Sequence, residues 1–167
     1  DWICNHNEDL VFNQAAGSAA ALLGVFRLTQ DPAYREAAEK RVFFILNHQS
    51  NEGWWSEYGG PDIGYLSLMV DYLSAYREET GDRQVLSALK KANYFITHFL
   101  HPNFTVGGEY LSRNTEYLIP SGFARLASLD GSAKEILAFC ATSLELRRGI
   151  WPHALNDRYL CYILYNW

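Results

Sequence analysis

Asp62-Ile63-Gly64-Tyr65-Leu66 recurs as Asn114-Thr115-Glu116-Tyr117-Leu118 and again as Asn156-Asp157-Arg158-Tyr159-Leu160, with a degenerate first copy at Asp9-Leu10-Val11-Phe12. Each copy is an Asp or Asn, two residues, then an aromatic, and each runs into an apolar stretch. Asp and Asn side chains accept from backbone N–H groups two or three residues on, so each copy predicts a helix start capped by that residue. The aromatic then falls on the first turn. Similar helix starts at about fifty-residue spacing mark a repeat architecture.

The second half of each repeat agrees. Thr29-Gln30-Asp31 is matched by Thr80-Gly81-Asp82 and more loosely by Ser128-Leu129-Asp130. Amphipathic helices are expected after each, from Pro32 to His48, Arg83 to Leu100 and Ser132 to Arg147. Proline is tolerated at a first helical position because its missing N–H has no intrahelical partner there. Val85, Ala88, Leu89, Ala92, Phe95, Ile96 and Phe99 form one apolar stripe. The helix from Asp62 is instead apolar nearly all round, with Tyr65, Leu66, Leu68, Met69, Val70, Tyr72, Leu73 and Tyr76, as a helix buried on two sides should be. The expectation is an all-α fold in which buried inner helices pair with amphipathic outer ones. It forms a partial or incomplete (α/α) toroid of about three to four helical hairpins. Residues 1–167 read as a single domain of that type. The lack of an initiator Met suggests a trimmed or processed N-terminus, and the loop-like opening and short final helix suggest a part of a larger chain.

Net charge is −5, with no Lys/Arg block, which argues against a nucleic-acid partner because phosphate neutralisation needs a clustered basic footprint. No apolar run reaches bilayer length, so no membrane partner is expected. Compartment is left open, with cytoplasmic, periplasmic and secreted placements all compatible. Cys4, Cys140 and Cys161 are widely spaced in apolar surroundings and read as core thiols, with neither a disulfide framework nor metal-ligand spacing. No Gly-rich phosphate loop follows a strand, so no cofactor is expected. Asn103-Phe104-Thr105 is a glycosylation sequon, meaningful only in a secreted eukaryotic chain.

The loop between the first outer and second inner helix is chemically the richest. Trp54 and Trp55 stand among Glu52, Glu57 and Asp62, a composition suited to a sugar, whose apolar face stacks on indole while carboxylates take its hydroxyls. The same tryptophans could equally plug the gap between hairpins, with Gly53 permitting the turn. Phe44-Ile45-Leu46, Gln49, Glu52-Gly53 and Trp55 resemble the QW repeat of terpene cyclase and prenyltransferase toroids, where the repeat ties hairpins together and is not catalytic. The acidic motifs and zinc ligands of those families are absent. The resemblance therefore implies the toroid without isoprenoid chemistry.

In the next repeat Arg113 and Asn114, with Tyr117 one turn on, form the constellation of greatest interest. In character it resembles the toroid domains of polysaccharide lyases, including heparinase-like and alginate-lyase-like groups. That resemblance implies an acidic, uronate-containing oligosaccharide or polysaccharide as partner. It also implies β-elimination: Asn or Arg neutralises the uronate carboxylate, and Tyr or His moves the proton. Arginine offers a planar two-pronged match to a carboxylate, and a helix N-terminus adds N–H donors. Tyrosine, with a pKa near 10, needs a cationic neighbour before it can act as a base. Candidate catalytic residues are thus Arg113, Asn114, Tyr117 and His6. Candidate substrate contacts are Trp54, Trp55, Glu57, Asp62, Tyr65, His153 and Arg158, all brought to one rim by the inner-helix starts. Against this stands the plain reading: Asn114 a cap, Tyr117 a core residue, Arg113 a surface charge and His6 a surface polar group. Two further classes stay open: a glycoside hydrolase using paired carboxylates from Glu57, Asp62, Glu109 and Glu116, and a non-catalytic glycan-binding or scaffold domain. Further domains of the same polypeptide are expected partners.

Overall fold

The structure, a computed structural model, describes residues 2–6 and 10–148. The copy beginning at Asn156, together with Trp151, His153, Arg158 and Cys161, lies outside the described residues, as does Asp9.

A short helix α1 (Trp2–Asn5) precedes α2 (Phe12–Thr29), α3 (Pro32–Asn47), α4 (Ile63–Thr80), α5 (Arg83–Thr97), α6 (Ser121–Leu126) and α7 (Gly131–Glu145), with one 3₁₀ turn at Gly108–Tyr110. The fold is all-α. Successive pairs α2–α3, α4–α5 and α6–α7 pack as hairpins; α2, α4 and α6 form an inner layer and α3, α5 and α7 an outer one. No described helix is long and apolar enough to cross a membrane.

The hairpin turns explain their own recurrence. Gln30 (φ 58°) and Gly81 (φ 71°) end α2 and α4 in the left-handed conformation, donating to Phe26 O and Arg77 O at 2.8 Å. Thr29 Oγ1 and Thr80 Oγ1 each accept from the N–H of the following Asp at 3.3 Å. Asp31 then caps α3 through Ala33 N at 3.0 Å, and Asp82 caps α5 through Gln84 N at 2.7 Å and Val85 N at 3.2 Å. Two turns 51 residues apart therefore use the same hydrogen bonds. The third is looser, but Asp130 still caps α7 through Ser132 N at 3.3 Å.

The core lies between the layers. Ile63, Leu66, Met69, Val70 and Leu73 of α4 meet Ala15, Ala16, Ala19, Leu22 and Leu23 of α2, and Val85, Leu89, Ala92 and Ile96 of α5. Each fully buried Ile, Leu or Met contributes about 1.5–3 kcal/mol relative to exposure. The loop after α3 stitches neighbouring hairpins. Gln49 Nε2 donates to Gly53 O at 2.8 Å and to Ala88 O of α5 at 2.9 Å. Gly53 has φ 105°, and a Cβ there would lie 2.4 Å from Lys91 O, so only glycine fits. Trp55, 2% exposed, donates from Nε1 to Ile45 O at 2.7 Å. Gln49 and Gly53 thus tie this loop to α5 of the next hairpin, while Trp55 fastens it back to α3.

The third repeat departs from expectation. Asn114 caps no helix, and Tyr117 lies on no helical turn. Residues 114–120 form no regular element, and α6 starts only at Ser121. The cause is Pro120, which disfavours helical backbone at Ile119 and lacks the N–H that a helix interior needs. This irregular segment runs beside the first turns of α4. Thr115 Oγ1 accepts from Gly64 N at 2.9 Å, Ser67 Oγ from Ile119 N at 2.9 Å, and Asp71 binds Ser121 and Arg125. Gly64 permits this approach, since a Cβ there would lie 2.4 Å from Thr115 Oγ1.

Candidate functional site

At the N-terminal end of the inner helices, two loops (residues 48–62 and 101–120) meet the starts of α2 and α4. Asp62 is their centre. It is 1% exposed, and its Oδ1 accepts from Tyr65 N at 3.1 Å, capping α4 as expected. Thr115 Oγ1 donates to the same oxygen, while Oδ2 accepts from Arg113 N at 3.2 Å and Thr115 N at 3.4 Å. The carboxylate is spent inside the protein, so Asp62 anchors the 101–120 loop and offers nothing to a substrate. The expectation of bare amide donors at this helix start is corrected too. Gly64 N–H and Tyr65 N–H go to Thr115 Oγ1 and Asp62.

Glu57 is similarly enclosed. It is 3% exposed, its Oε1 accepts from Asn13 Nδ2 of α2 at 2.7 Å, and its backbone bridges Val11. Burial pushes its pKa up, partly offset by the Asn13 hydrogen bond. The carboxyl fastens the loop to α2. Ser112 Oγ donates to Glu57 O at 2.8 Å, joining the two loops directly.

What reaches solvent from this scaffold is Arg113. Its guanidinium carbon lies 4.6 Å from the centroid of the Tyr58 ring and 5.9 Å from that of Tyr65. Its hydrogen bond to the Tyr65 oxygen raises its pKa further, so it is charged at any working pH. Tyr58 is exposed and Tyr65 half-buried. Two rings that hold a guanidinium fix its plane and leave its N–H edge for an anion. Tyr58 (φ 54°) and Asn114 (φ 51°) both sit in the left-handed region, flanking Arg113 in space and in sequence. Such backbone costs a non-glycine residue about 1 kcal/mol and clusters at functional sites. Asn114, with its amide nitrogen turned toward the loop, donates to Leu111 O at 2.9 Å and Glu109 O at 3.3 Å, holding the turn that presents Arg113.

The other expected residues are placed as follows. Tyr117 is 7% exposed and packs with Leu68 and Ile119, beneath the surface that carries Arg113. Trp55 is the buried plug described above and has no free face for a sugar. Trp54 is half-buried and donates from Nε1 to Glu52 Oε2 at 2.8 Å. His6 stacks on Trp2 at 4.3 Å and bonds Trp2 O through Nδ1 at 2.9 Å; its carbonyl accepts from Arg41 of α3 at 2.6 Å. Those contacts place His6 on the outer layer, and no described contact joins it to Arg113. His153 and Arg158 lie outside the described residues.

Tyr58, Thr115 and Asn13 are structural neighbours of the candidate site that sequence reasoning missed. Asn13 had a signal, a polar residue opening a small-sided apolar helix. Tyr58 had one as well, an aromatic before Gly59-Gly60 in a loop. A second cleft, of about 630 Å³, lies at the opposite end, between α2, α4 and Arg125 of α6. Its arginines face carboxylates, Arg27 to Glu79 at 3.4 Å and Arg125 to Glu78 at 3.6 Å, so it presents no uncompensated charge. Among the described residues no group of three His, Cys, Asp or Glu side chains is placed to hold a metal ion. Comparison of the chain with protein-family models, curated proteins and solved structures finds no match.

Proposed function

We propose that this chain is a carbohydrate-active domain that docks an acidic, uronate-containing polysaccharide at the rim around Arg113, as part of an incomplete α/α toroid similar to those of polysaccharide lyases. The observation that supports it is the exposed Arg113 guanidinium, held over Tyr58 and Tyr65 on two strained loops that Asp62 and Glu57 anchor. A planar, permanently charged fork between aromatic faces matches a sugar carboxylate in charge and shape.

The reaction proposed is β-elimination. Arg113 pairs with the uronate carboxylate and stabilises the charge that develops when the adjacent proton leaves. The phenol hydrogen-bonded to Arg113 is Tyr65, so it, and not the buried Tyr117, takes the base role. Its phenolate accepts the proton α to the carboxylate. The freed electron pair forms the ring double bond, and the glycosidic oxygen on the β carbon departs, taking the proton that Tyr65 has just accepted and returning Tyr65 to its starting state. Paired-carboxylate hydrolysis is less well supported, because Glu57 and Asp62 are both held by protein donors, which leaves only the exposed Glu109 and Glu116 of its four candidates. Non-catalytic glycan binding is the second reading, favoured by the burial of Tyr117.

The test is incubation with alginate, heparin-type and chondroitin-type polymers, following the ultraviolet absorbance of the unsaturated product and, in parallel, new reducing ends. Elimination predicts absorbance that Arg113→Ala and Tyr65→Phe abolish while helicity is unchanged. Reducing ends without absorbance would replace elimination by hydrolysis, and retention without either product would support the binding module. Neither product nor retention on any of the three would overturn the proposal.

A further inference from the structure

On the outer side of the same end, a groove of about 340 Å³ is lined by Tyr94, Phe95, His98 and Phe99 of α5 and the segment that follows it, and by Glu52 of the tryptophan loop. Phe95 and Phe99 were expected in the core stripe of α5, yet both are only half-buried and form the floor, their rings 5.0 Å apart. Tyr94 is 61% exposed and meets the His98 ring edge-on at 4.8 Å, giving a wall. Glu52 stands opposite, one carboxylate oxygen fixed by Trp54 Nε1 at 2.8 Å. Among the described residues that line the groove there is no Lys or Arg.

We infer that this groove is a second carbohydrate site, distinct from the Arg113 rim, which takes an amino sugar carrying a free ammonium group. The apolar face of a pyranose matches stacked aromatic faces, and the ammonium matches both the ring quadrupoles and the free Glu52 oxygen. Charge decides the class. A uronate would meet Glu52 with no cation to offset it, whereas an ammonium gains a charge-assisted hydrogen bond in the same place. Trp54 pre-orients Glu52 for this, which lowers the side-chain ordering that binding requires. The arrangement also accounts for two adjacent tryptophans with different roles: Trp55 fastens the loop to α3, and Trp54 orients the carboxylate.

The experiment is calorimetric titration of the whole chain with glucosamine oligosaccharides, and separately with their fully N-acetylated counterparts, at low salt. Binding of the free-amine form is expected. Tyr94→Ala should weaken it about tenfold and Glu52→Gln about fivefold, since an exposed ion pair is worth under about 1 kcal/mol. Glutamine still accepts from Trp54 Nε1, so the loop is retained. N-acetylated oligosaccharides should bind more weakly and be indifferent to Glu52→Gln, and Arg113→Ala should leave the free-amine affinity unchanged. No binding of the free-amine form, equal affinity for the two forms, or binding indifferent to both groove variants would overturn the inference. Loss of binding on Arg113→Ala would transfer the ligand to the rim and overturn it as well.

Discussion

Replacement of Asp62 tests how the rim is built. Its carboxylate, 1% exposed, accepts four hydrogen bonds, one that caps α4 and three from the Arg113–Thr115 loop. In Asp62→Asn the amide oxygen keeps Tyr65 N and Thr115 Oγ1, but an amide nitrogen now faces the N–H groups of Arg113 and Thr115. Hydrogen bonds to a charged acceptor contribute about 1.5–3 kcal/mol each at good geometry. At 3.2 and 3.4 Å these two are long, so the pair together should cost about 2 kcal/mol. Asp62→Ala also removes the cap, worth about 1 kcal/mol, and leaves the Thr115 hydroxyl without its acceptor, for a total of about 4 kcal/mol. In urea, with a slope of about 2 kcal/mol/M, the midpoint should fall by about 1 M for the Asn variant and about 2 M for the Ala variant. A double-mutant cycle with Thr115→Val should show coupling above about 0.5 kcal/mol, as expected for groups in direct contact. If Asp62→Asn unfolds within about 0.5 kcal/mol of the parent, the loop is not held through this carboxylate and the geometry around Arg113 loses its support.

Other consequences follow from the packing. Gly64→Ala places a methyl 2.4 Å from Thr115 Oγ1 and 2.7 Å from its Cβ, so thermal unfolding should show a loss of about 2 kcal/mol or more. Glu57 has a folded-state pKa raised by burial. The native state therefore holds its proton to higher pH than the unfolded chain, and stability contributed here falls as pH rises from the unfolded value toward the folded one. Glu57→Gln should remove that fall, with urea midpoints that match the parent at acid pH and exceed it at neutral pH. Cys140 is fully buried, with a pKa pushed up to about 12, and should resist iodoacetamide until the chain unfolds, as read by mass spectrometry of pulse-labelled protein.

Much of the fold was legible because its signals are local. Asp31-Pro32, Asp82 and Asp130 carry helix starts in the residue itself and the next two or three, and the stripe from Val85 to Ile96 shows its period directly. The third inner helix was misread because similarity to the Asp62 copy was weighed above Pro120, which forbids the helix on elementary grounds. The site was harder. Asp62 was rightly placed as a cap, but its partners Arg113 and Thr115 lie more than 50 residues away, and one sequence gives no sign that the carboxylate is already satisfied. Trp54 and Trp55 look alike in sequence; only the fold shows that Trp55 is buried and bonded to Ile45 O while the half-buried Trp54 bonds Glu52. Arg113 stands out in the sequence as a loop cation, while the aromatics beside it, Tyr58 and Tyr65, come from the preceding repeat and meet it only through the hairpin stacking.

The central claim is that Arg113 receives a sugar carboxylate, and the most direct measurement is calorimetric affinity for an oligouronate of defined length, parent against Arg113→Ala and Arg113→Lys. The account predicts about tenfold weaker binding for Ala, from loss of one charge-assisted pair. Lys should recover only part of that affinity, because it keeps the charge without the planar fork. Equal affinity for all three proteins would contradict it.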